Sequence, residues 1–379
     1  MPQSVKLEEV NTLSASALKS RGLRVLIAGG GTGGHIIPAL AVAHEMVTKY
    51  GAEILFVGTP RGLEGRMVPA AGFQLRLVQV GPLKNVSLAT RLRTLLDVPR
   101  SLLACRRIIC EFNPQVVFGV GGYASGPGII AALMMRVPTM VFEPNAMPGL
   151  ANRLVGKRVQ AAAVNFPAAL AYFRNAEVTG IPVRPDFFKI AAADANSPHL
   201  LIFGGSQGAR LFNTTMPAIA AALLDAVPRL TILHQSGLRH AESTEAAYRT
   251  SGADPTRWKV SGFLDDMPMR FAPASLIMAR SGASTVAELA AAGKPSLLVP
   301  FAAAADDHQT RNAEEMVKVG AAVMLKEPDL ANREHVLQTL VQLFQSRDRL
   351  ASMSAAALTQ AHPGAAEQIA ERLVSLARV

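Results

Sequence analysis

The sequence predicts an α/β protein of two Rossmann-like domains whose parallel sheets face a cleft. Three observations lead there. The chain has 379 residues, too many for one hydrophobic core and enough for two. Short apolar runs that end in glycine-rich turns alternate with stretches of helical periodicity, the pattern of βα units on a parallel sheet. Finally, the layout restarts at mid-chain: His199-Leu-Leu-Ile-Phe-Gly-Gly-Ser-Gln-Gly208 repeats the strand, glycine turn and helix of Arg24-Val-Leu-Ile-Ala-Gly-Gly-Gly-Thr-Gly33.

In the first half, strands are predicted at Arg24–Ala28, Glu53–Val57, Leu75–Gln79, Val116–Val120, Thr139–Phe142 and Ala161–Val164, with helices near Pro38–Lys49 and Leu88–Cys110. The stretch Gly180-Ile-Pro-Val-Arg-Pro185 and then Ala191–Pro198 interrupts the pattern and reads as a linker. After His199 come strands at Thr231–His234, Lys259–Ser261, Leu276–Ala279, Leu297–Pro300 and Val323–Leu325, and the last fifty residues read as amphipathic helices. The expected division is a loosely ordered extension over 1–22, a first domain over 23–190, a second over 191–355, and a final helix, 356–379, returning to the first domain.

Composition narrows the class. Half the residues are apolar and only 5% aromatic, which fits α/β layers and excludes a disulfide scaffold or a disordered chain. The two cysteines, Cys105 and Cys110, lie five residues apart in a predicted helix without companion ligands, and are expected to be free thiols. The N-terminal residues carry Glu8 and Glu9 and lack a continuous apolar core, so they do not read as a signal peptide. No uninterrupted apolar run reaches the length of a spanning helix.

The net charge of +10 is uneven: residues 1–190 hold 21 Lys and Arg against 10 Asp and Glu, and residues 191–379 hold 17 against 18. Within 61–110 the balance is 9 to 2, including Arg91, Arg93, Arg100, Arg106 and Arg107. Such a field attracts phosphates or anionic headgroups. Interleaved Leu83, Val86, Leu88, Leu92, Leu95 and Leu96, with no aromatic platform for bases, favour a membrane surface over nucleic acid. A core-facing helix with a solvated charged side is the competing reading.

Gly29-Gly-Gly-Thr-Gly-Gly34 satisfies G-x-G-x-x-G between strand and helix, where backbone N–H groups approach a phosphate. A dinucleotide site also needs an acid closing the second strand, yet Gly58-Thr59 stands there, which discounts NAD. His35 follows the turn, placed either as a neutral general base or as a cap. A second anion-receptive turn contains Gly121, Gly122, Tyr123 and Ser125, and the duplication points to a diphosphate ligand. In the second half, Gly204–Arg210 offers Ser206 and backbone amides, and Arg184 is either a diphosphate contact or a solvated linker charge. Glu288, one turn into a helix, either accepts ribose hydroxyls or closes a capping box with Thr285. Asp306-Asp-His-Gln309 stands beyond a strand, but no Asp-x-Asp pair or spaced ligand cluster supports a metal.

Taken together, Gly29–His35 with Pro38, Gly121–Pro127, Glu143-Pro-Asn145, Gly204–Arg210, His234-Gln-Ser-Gly237, Phe263-Leu-Asp-Asp-Met267 and Arg280–Glu288 resemble, in order, the MurG family. These are the peripheral N-acetylglucosaminyltransferases of bacterial peptidoglycan synthesis. The resemblance runs from about Arg24 to the C-terminus. It implies a glycosyltransferase B-type fold with the lipid-linked acceptor on the first domain and the UDP-sugar mainly on the second. Implied substrates are UDP-N-acetylglucosamine and lipid I. Anionic inner-leaflet lipids and other cell-wall synthesis proteins are implied as partners, without nucleic acid, cofactor or metal.

Carried across by motif, Thr32, Gly33 and Gly34 flank the sugar or diphosphate, and Asn145 contacts the N-acetylglucosamine. Arg184 and Ser206 hold the diphosphate; Leu264 and the run Ala283, Ser284, Thr285, Val286, Ala287 and Glu288 hold the uridine, with Glu288 on the ribose. Gln309 reads the sugar hydroxyls. Where some relatives carry a polar pair, this chain has Phe142 and Pro144, neither of which moves a proton. His35 is therefore the expected base, with Glu143 behind it. The loop Ala302–Asp306 is one residue longer than in some relatives. Rival readings on the same architecture are a transferase acting on diacylglycerol, a UDP-N-acetylglucosamine 2-epimerase, and a nucleotide-sensing protein with a degenerate site.

Overall fold

Strand formation follows from the continuous Val, Ile and Leu runs, which suit a parallel sheet covered on both faces. The computed structural model describes residues 22–60, 62–80, 88–194 and 196–378, with the side chains of 88–96 excepted. The expected extension, apart from Gly22, and the residues Leu83 and Val86 lie outside the described residues.

Two compact units form. One takes residues up to Pro182 together with the stretch from Gly364 onward, and the other takes Val183–Pro363. The first holds β1 (Arg24–Ala28), α1 (Gly33–Tyr50), β2 (Glu53–Gly58), α2 (Glu64–Ala70), β3 (Gln74–Leu77), α3 (Leu88–Phe112), β4 (Val116–Gly119), α4 (Ser125–Met134), β5 (Thr139–Glu143), α5 (Leu150–Val155), β6 (Ala161–Val164) and β7 (Ala176–Val178). Its seven strands pair in parallel in the order β3-β2-β1-β4-β5-β6-β7. Order reverses between β1 and β4, and α/β sheets take ligands at the carboxyl ends of strands beside such a reversal.

The second unit runs β8 (His199–Phe203), α6 (Arg210–Ala226), β9 (Thr231–Gln235), α7 (Ala241–Thr250), β10 (Trp258–Ser261), α8 (Met267–Phe271), β11 (Leu276–Ala279), α9 (Ala283–Ala291), β12 (Ser296–Leu298), α10 (His308–Lys318), β13 (Ala322–Met324), α11 (Arg333–Gln345) and α12 (Arg347–Leu358). Its parallel sheet has the order β10-β9-β8-β11-β12-β13, with the reversal between β8 and β11. The core packs Leu200, Ile202, Leu276 and Met278 against Phe212 and Met216 of α6. Helix α13 (Ala365–Ala377) rejoins the first unit, where Ile369, Ala370 and Leu373 are buried and Glu367 pairs with Lys49 of α1.

The C-terminal half of α3 turns Ser101, Cys105 and Ile109 inward at four-residue spacing, while Arg100, Arg106 and Arg107 face out. Two of those charges are matched locally, Arg100 by Asp97 at 3.2 Å and Arg107 by Glu111 at 2.8 Å. This part is a core-facing helix with a solvated side. Leu88, Arg91, Leu92, Arg93, Leu95 and Leu96 have side chains outside the described residues. Cys105 is buried, which pushes its thiol up to about 11, Cys110 is exposed, and both are free. Among the described residues no helix is long and apolar enough to cross a membrane.

Candidate functional site

In the first unit the carboxyl ends of β1 and β4 carry interlocking glycine turns. Gly29, Gly30 and Gly31 all have positive φ, as do Gly121 and Gly122. A Cβ on Gly29 would overlap the carbonyl of Gly121, and one on Gly122 the carbonyl of Gly30. The Gly30 N–H donates to Gly121 O at 3.1 Å, and the Gly29 N–H to Val57 O at 2.9 Å. The Gly31 N–H donates to the Glu64 carboxylate at 2.7 Å. Three of the turn's amides are thus already satisfied within the unit, and those of Gly33 and Gly34 belong to the first turn of α1, which has no intrahelical acceptor for them.

The His35 ring lies against Gly121, where a Cβ would strike it. Its Nδ1 is 3.1 Å from Thr32 Oγ1, and Thr32 is exposed at the N-cap of α1. Of the second turn, Tyr123 is exposed, while Ser125 lies beneath it, 1% exposed, with its Oγ unpartnered among the described residues.

Glu143 ends β5 and is 2% exposed. One carboxylate oxygen accepts from Asn145 N at 3.0 Å and Asn145 Nδ2 at 3.2 Å; the other accepts from Gly149 N and Asn152 Nδ2, each at 3.0 Å. Burial pushes its carboxyl up, with those donors pulling against it. Glu143 therefore shapes the 143–149 loop and orients Asn145.

In the second unit the predicted residues gather at the carboxyl ends of β8, β10, β11 and β12. Ser206 is exposed on the turn between β8 and α6. Gly208, at φ +73°, is required there because a Cβ would overlap Ser236 O. Leu264 follows β10 and is half-buried. Helix α9 starts at Ala283 with Gly282 as its N-cap and no side-chain cap bond, so Thr285 is the third helical residue and no capping box forms. Ala283, Val286 and Ala287 are buried, and Ser284, Thr285 and Glu288 partly so.

Burial raises the Glu288 carboxyl to about 7, and the Arg184 guanidinium opposes that rise. Arg184 is exposed at the start of a 3-10 turn, Pro185–Lys189, with its guanidinium 5.3 Å from the centre of the Phe187 ring. Phe187 is buried against Phe271. Gln309 sits in the first turn of α10; its Oε1 accepts from Phe301 N at 3.0 Å and its carbonyl from Ser281 Oγ at 2.8 Å. Among the described residues no group of three or more His, Cys, Asp or Glu could hold a metal ion.

Glu64 is the residue that sequence reasoning missed. An acid was sought at the end of β2; it arrives six positions after Gly58, in α2, and turns inward. A carboxylate placed shortly after the second strand, opposite a glycine triplet, is the signal that would have found it.

The glycosyltransferase family 28 N-terminal domain matches residues 25–164 and the family 28 C-terminal domain matches 199–369. A protein of Anaeromyxobacter sp. (strain K), named UDP-N-acetylglucosamine--N-acetylmuramyl-(pentapeptide) pyrophosphoryl-undecaprenol N-acetylglucosamine transferase, is 43% identical over 94% of each chain. A protein of the same name from Solibacter usitatus is 42% identical over 93% of this chain and 96% of its own. The crystal structure of Acinetobacter baumannii MurG superposes with a TM-score of 0.78 at 29% identity, covering 93% of this chain and 99% of that one. Two parallel-sheet units, ligand-receptive strand ends and near full-length similarity agree: the fold is of the glycosyltransferase B type, and the chain belongs to the MurG family of glycosyltransferases.

Proposed function

We propose that this protein transfers N-acetylglucosamine from UDP-N-acetylglucosamine to the C4 hydroxyl of the muramyl sugar in lipid I, giving lipid II and UDP. The observation that carries the reading is the open carboxyl edge of the second sheet. There Ser206 and a glycine turn precede α6, and the 3-10 turn that Arg184 opens packs against the helix that carries Glu288, in a chain of this family.

The diphosphate is held by Ser206, Arg184 and the amides at the start of α6, where the helix dipole favours an anion. Leu264 and the Ala283–Glu288 segment hold the uridine, the ionised Glu288 accepting from both ribose hydroxyls, and Gln309 with Asn145 reads the sugar. The acceptor lies on the first unit, beside Thr32, Gly33, Gly34 and the turn of Gly121, Gly122 and Tyr123.

The C4 oxygen attacks C1 of the donor sugar while the C1–O bond to the diphosphate breaks, so the α-linkage becomes β. The hydroxyl proton passes to His35, and the negative charge departs on UDP. Arg184 and the helix amides stabilise that charge. In this reading no metal takes part, and the departing charge is met by Arg184 and the helix amides alone. The protein acts peripherally on the cytoplasmic face of the inner membrane, where the basic stretch 83–107 would meet anionic lipids through the solvated side that its core-facing helix leaves outward, at about 1 kcal/mol per well-placed charge. Peptidoglycan synthesis, and through it cell shape and division, is the process served.

Incubating the protein with labelled UDP-N-acetylglucosamine and a short-chain lipid I analogue tests the reading. Label in the lipid product is expected. Conversion of the UDP-sugar without acceptor, or tight UDP binding without turnover, sinks it.

A further inference from the structure

Glu64 is 1% exposed, yet it lies in a seven-residue helix directly after the loop that follows β2. Its two carboxylate oxygens face three donors. Gly31 N reaches one at 2.7 Å, and Thr59 N and Thr59 Oγ1 reach the other at 2.8 and 3.0 Å. Only an acceptor on both sides satisfies that set; an amide would turn an NH2 toward an N–H. The fit is close, because a Cβ on Gly30, Gly58 or Gly62 would overlap the Glu64 side chain. The adjoining Leu63 N–H also donates to the Gly31 carbonyl at 3.3 Å, so both polar groups of Gly31 are gripped by one segment. Burial pushes the Glu64 carboxyl up, but the Gly31 and Thr59 donors outweigh it and hold it below the usual carboxylate range, ionised at neutral pH.

Gly31, at φ +94°, leads directly into Thr32, whose hydroxyl meets His35. We propose that Glu64 is a positioning residue: its carboxylate is the fixed counter-group of the first glycine turn, holding Gly30 and Gly31 so that Thr32 and His35 face the acceptor. The inference rests on the transferase reading above. Glu64 gives the first turn an internal carboxylate partner, which among the described residues the glycine turn of the second unit lacks.

Glu64→Gln tests it by steady-state transfer, UDP calorimetry and thermal melting. The folded variant is expected to lose about tenfold in kcat. Its UDP affinity should stay within about twofold, since the groups proposed to hold the nucleotide lie in the other unit. Wild-type kcat in the folded variant overturns the inference. So does a fall in kcat matched by an equal fall in UDP-binding stoichiometry, which would mean lost protein rather than lost positioning. If Glu64→Gln does not fold, Thr59→Val decides: removing one donor should lower kcat about threefold with UDP binding intact, and unchanged kcat refutes the role. A wild-type protein that transfers nothing removes the transferase reading and this inference together. Wild-type turnover alongside an unimpaired Glu64→Gln removes this inference alone.

Discussion

The leading glycine turns of the two units share a signature in sequence and differ in electrostatics. In the first, Gly29, Gly30 and Gly31 give their N–H groups to Val57, Gly121 and Glu64. In the second, Gly208 N–H bonds only back to Gly205 O, and Ser206 and Gln207 are exposed. Among the described residues no carboxylate bonds to that second turn. One turn is filled by the protein's own anion; the other leaves Ser206 and Gln207 exposed. Strand, glycine and helix start are thus necessary for an anion site but do not locate it, because the free N–H groups decide.

Breaking the first unit should disturb chemistry and leave nucleotide binding alone. The largest expected effect is His35→Gln, with kcat lower by about 10²- to 10⁴-fold and UDP affinity within about twofold by calorimetry. Near-normal kcat at saturating substrate would remove the base assignment.

The interlock of the turns is tested by stability. Gly122→Ala forces a Cβ into the Gly30 carbonyl at positive φ, whereas Gly205→Ala, also at positive φ, meets nothing within 4 Å. The first should cost about 3 kcal/mol or more and the second about 1 kcal/mol, read by chemical denaturation. Equal costs would mean that the close approach of the turns is relaxed in solution.

The second unit should respond in the opposite sense. Glu288→Gln is expected to weaken UDP about tenfold or more, through loss of charged hydrogen bonds to the ribose, with little change in stability at acid pH. An unchanged affinity would show that Glu288 is a buried acid without a ligand.

The smallest effect is the pH dependence of the wild type. With the Glu288 carboxyl raised to about 7, the folded unit holds that proton more tightly than the unfolded chain. Between the ordinary carboxylate range and about 7, rising pH therefore removes stability from the unliganded protein. UDP affinity should run the other way, falling by at most about tenfold per unit as pH drops below 7, because the proposed ribose contact needs the ionised form. Glu288→Gln should flatten both slopes, and persistence of either one assigns it to another group.

Much of the fold was legible from apolar runs. Arg24–Ala28, Ala161–Val164 and Leu276–Ala279 form strands with the predicted bounds. Others slide by one or two residues: Leu75–Gln79 appears as Gln74–Leu77, and Leu297–Pro300 as Ser296–Leu298. Their ends are set by pairing to β2 and β11 rather than by composition. The edge strand Ala176–Val178 escaped, since Ala-Glu-Val has no apolar run and becomes a strand only by pairing to β6. The first helix begins at Gly33, five residues before the predicted Pro38; glycines masked its start. At the candidate site, motif positions were legible and their hydrogen-bond states were not. The Thr285–Glu288 spacing suits a capping box, but Gly282 takes the N-cap, which leaves the Glu288 carboxylate to Arg184 and burial.

By itself the sequence determined that two parallel sheets form and that glycine turns end their leading strands, because period and φ preference are local properties. Only the tertiary structure decided which turn is bonded to a carboxylate of the chain itself. The acceptor that fills the first one, Glu64, lies 33 positions from Gly31, and the guanidinium whose charge opposes the rise of the Glu288 carboxyl comes from Arg184, before the second sheet begins. Occupancy of an amide and the charge of a buried acid depend on what is brought near in space, and no local pattern encodes that.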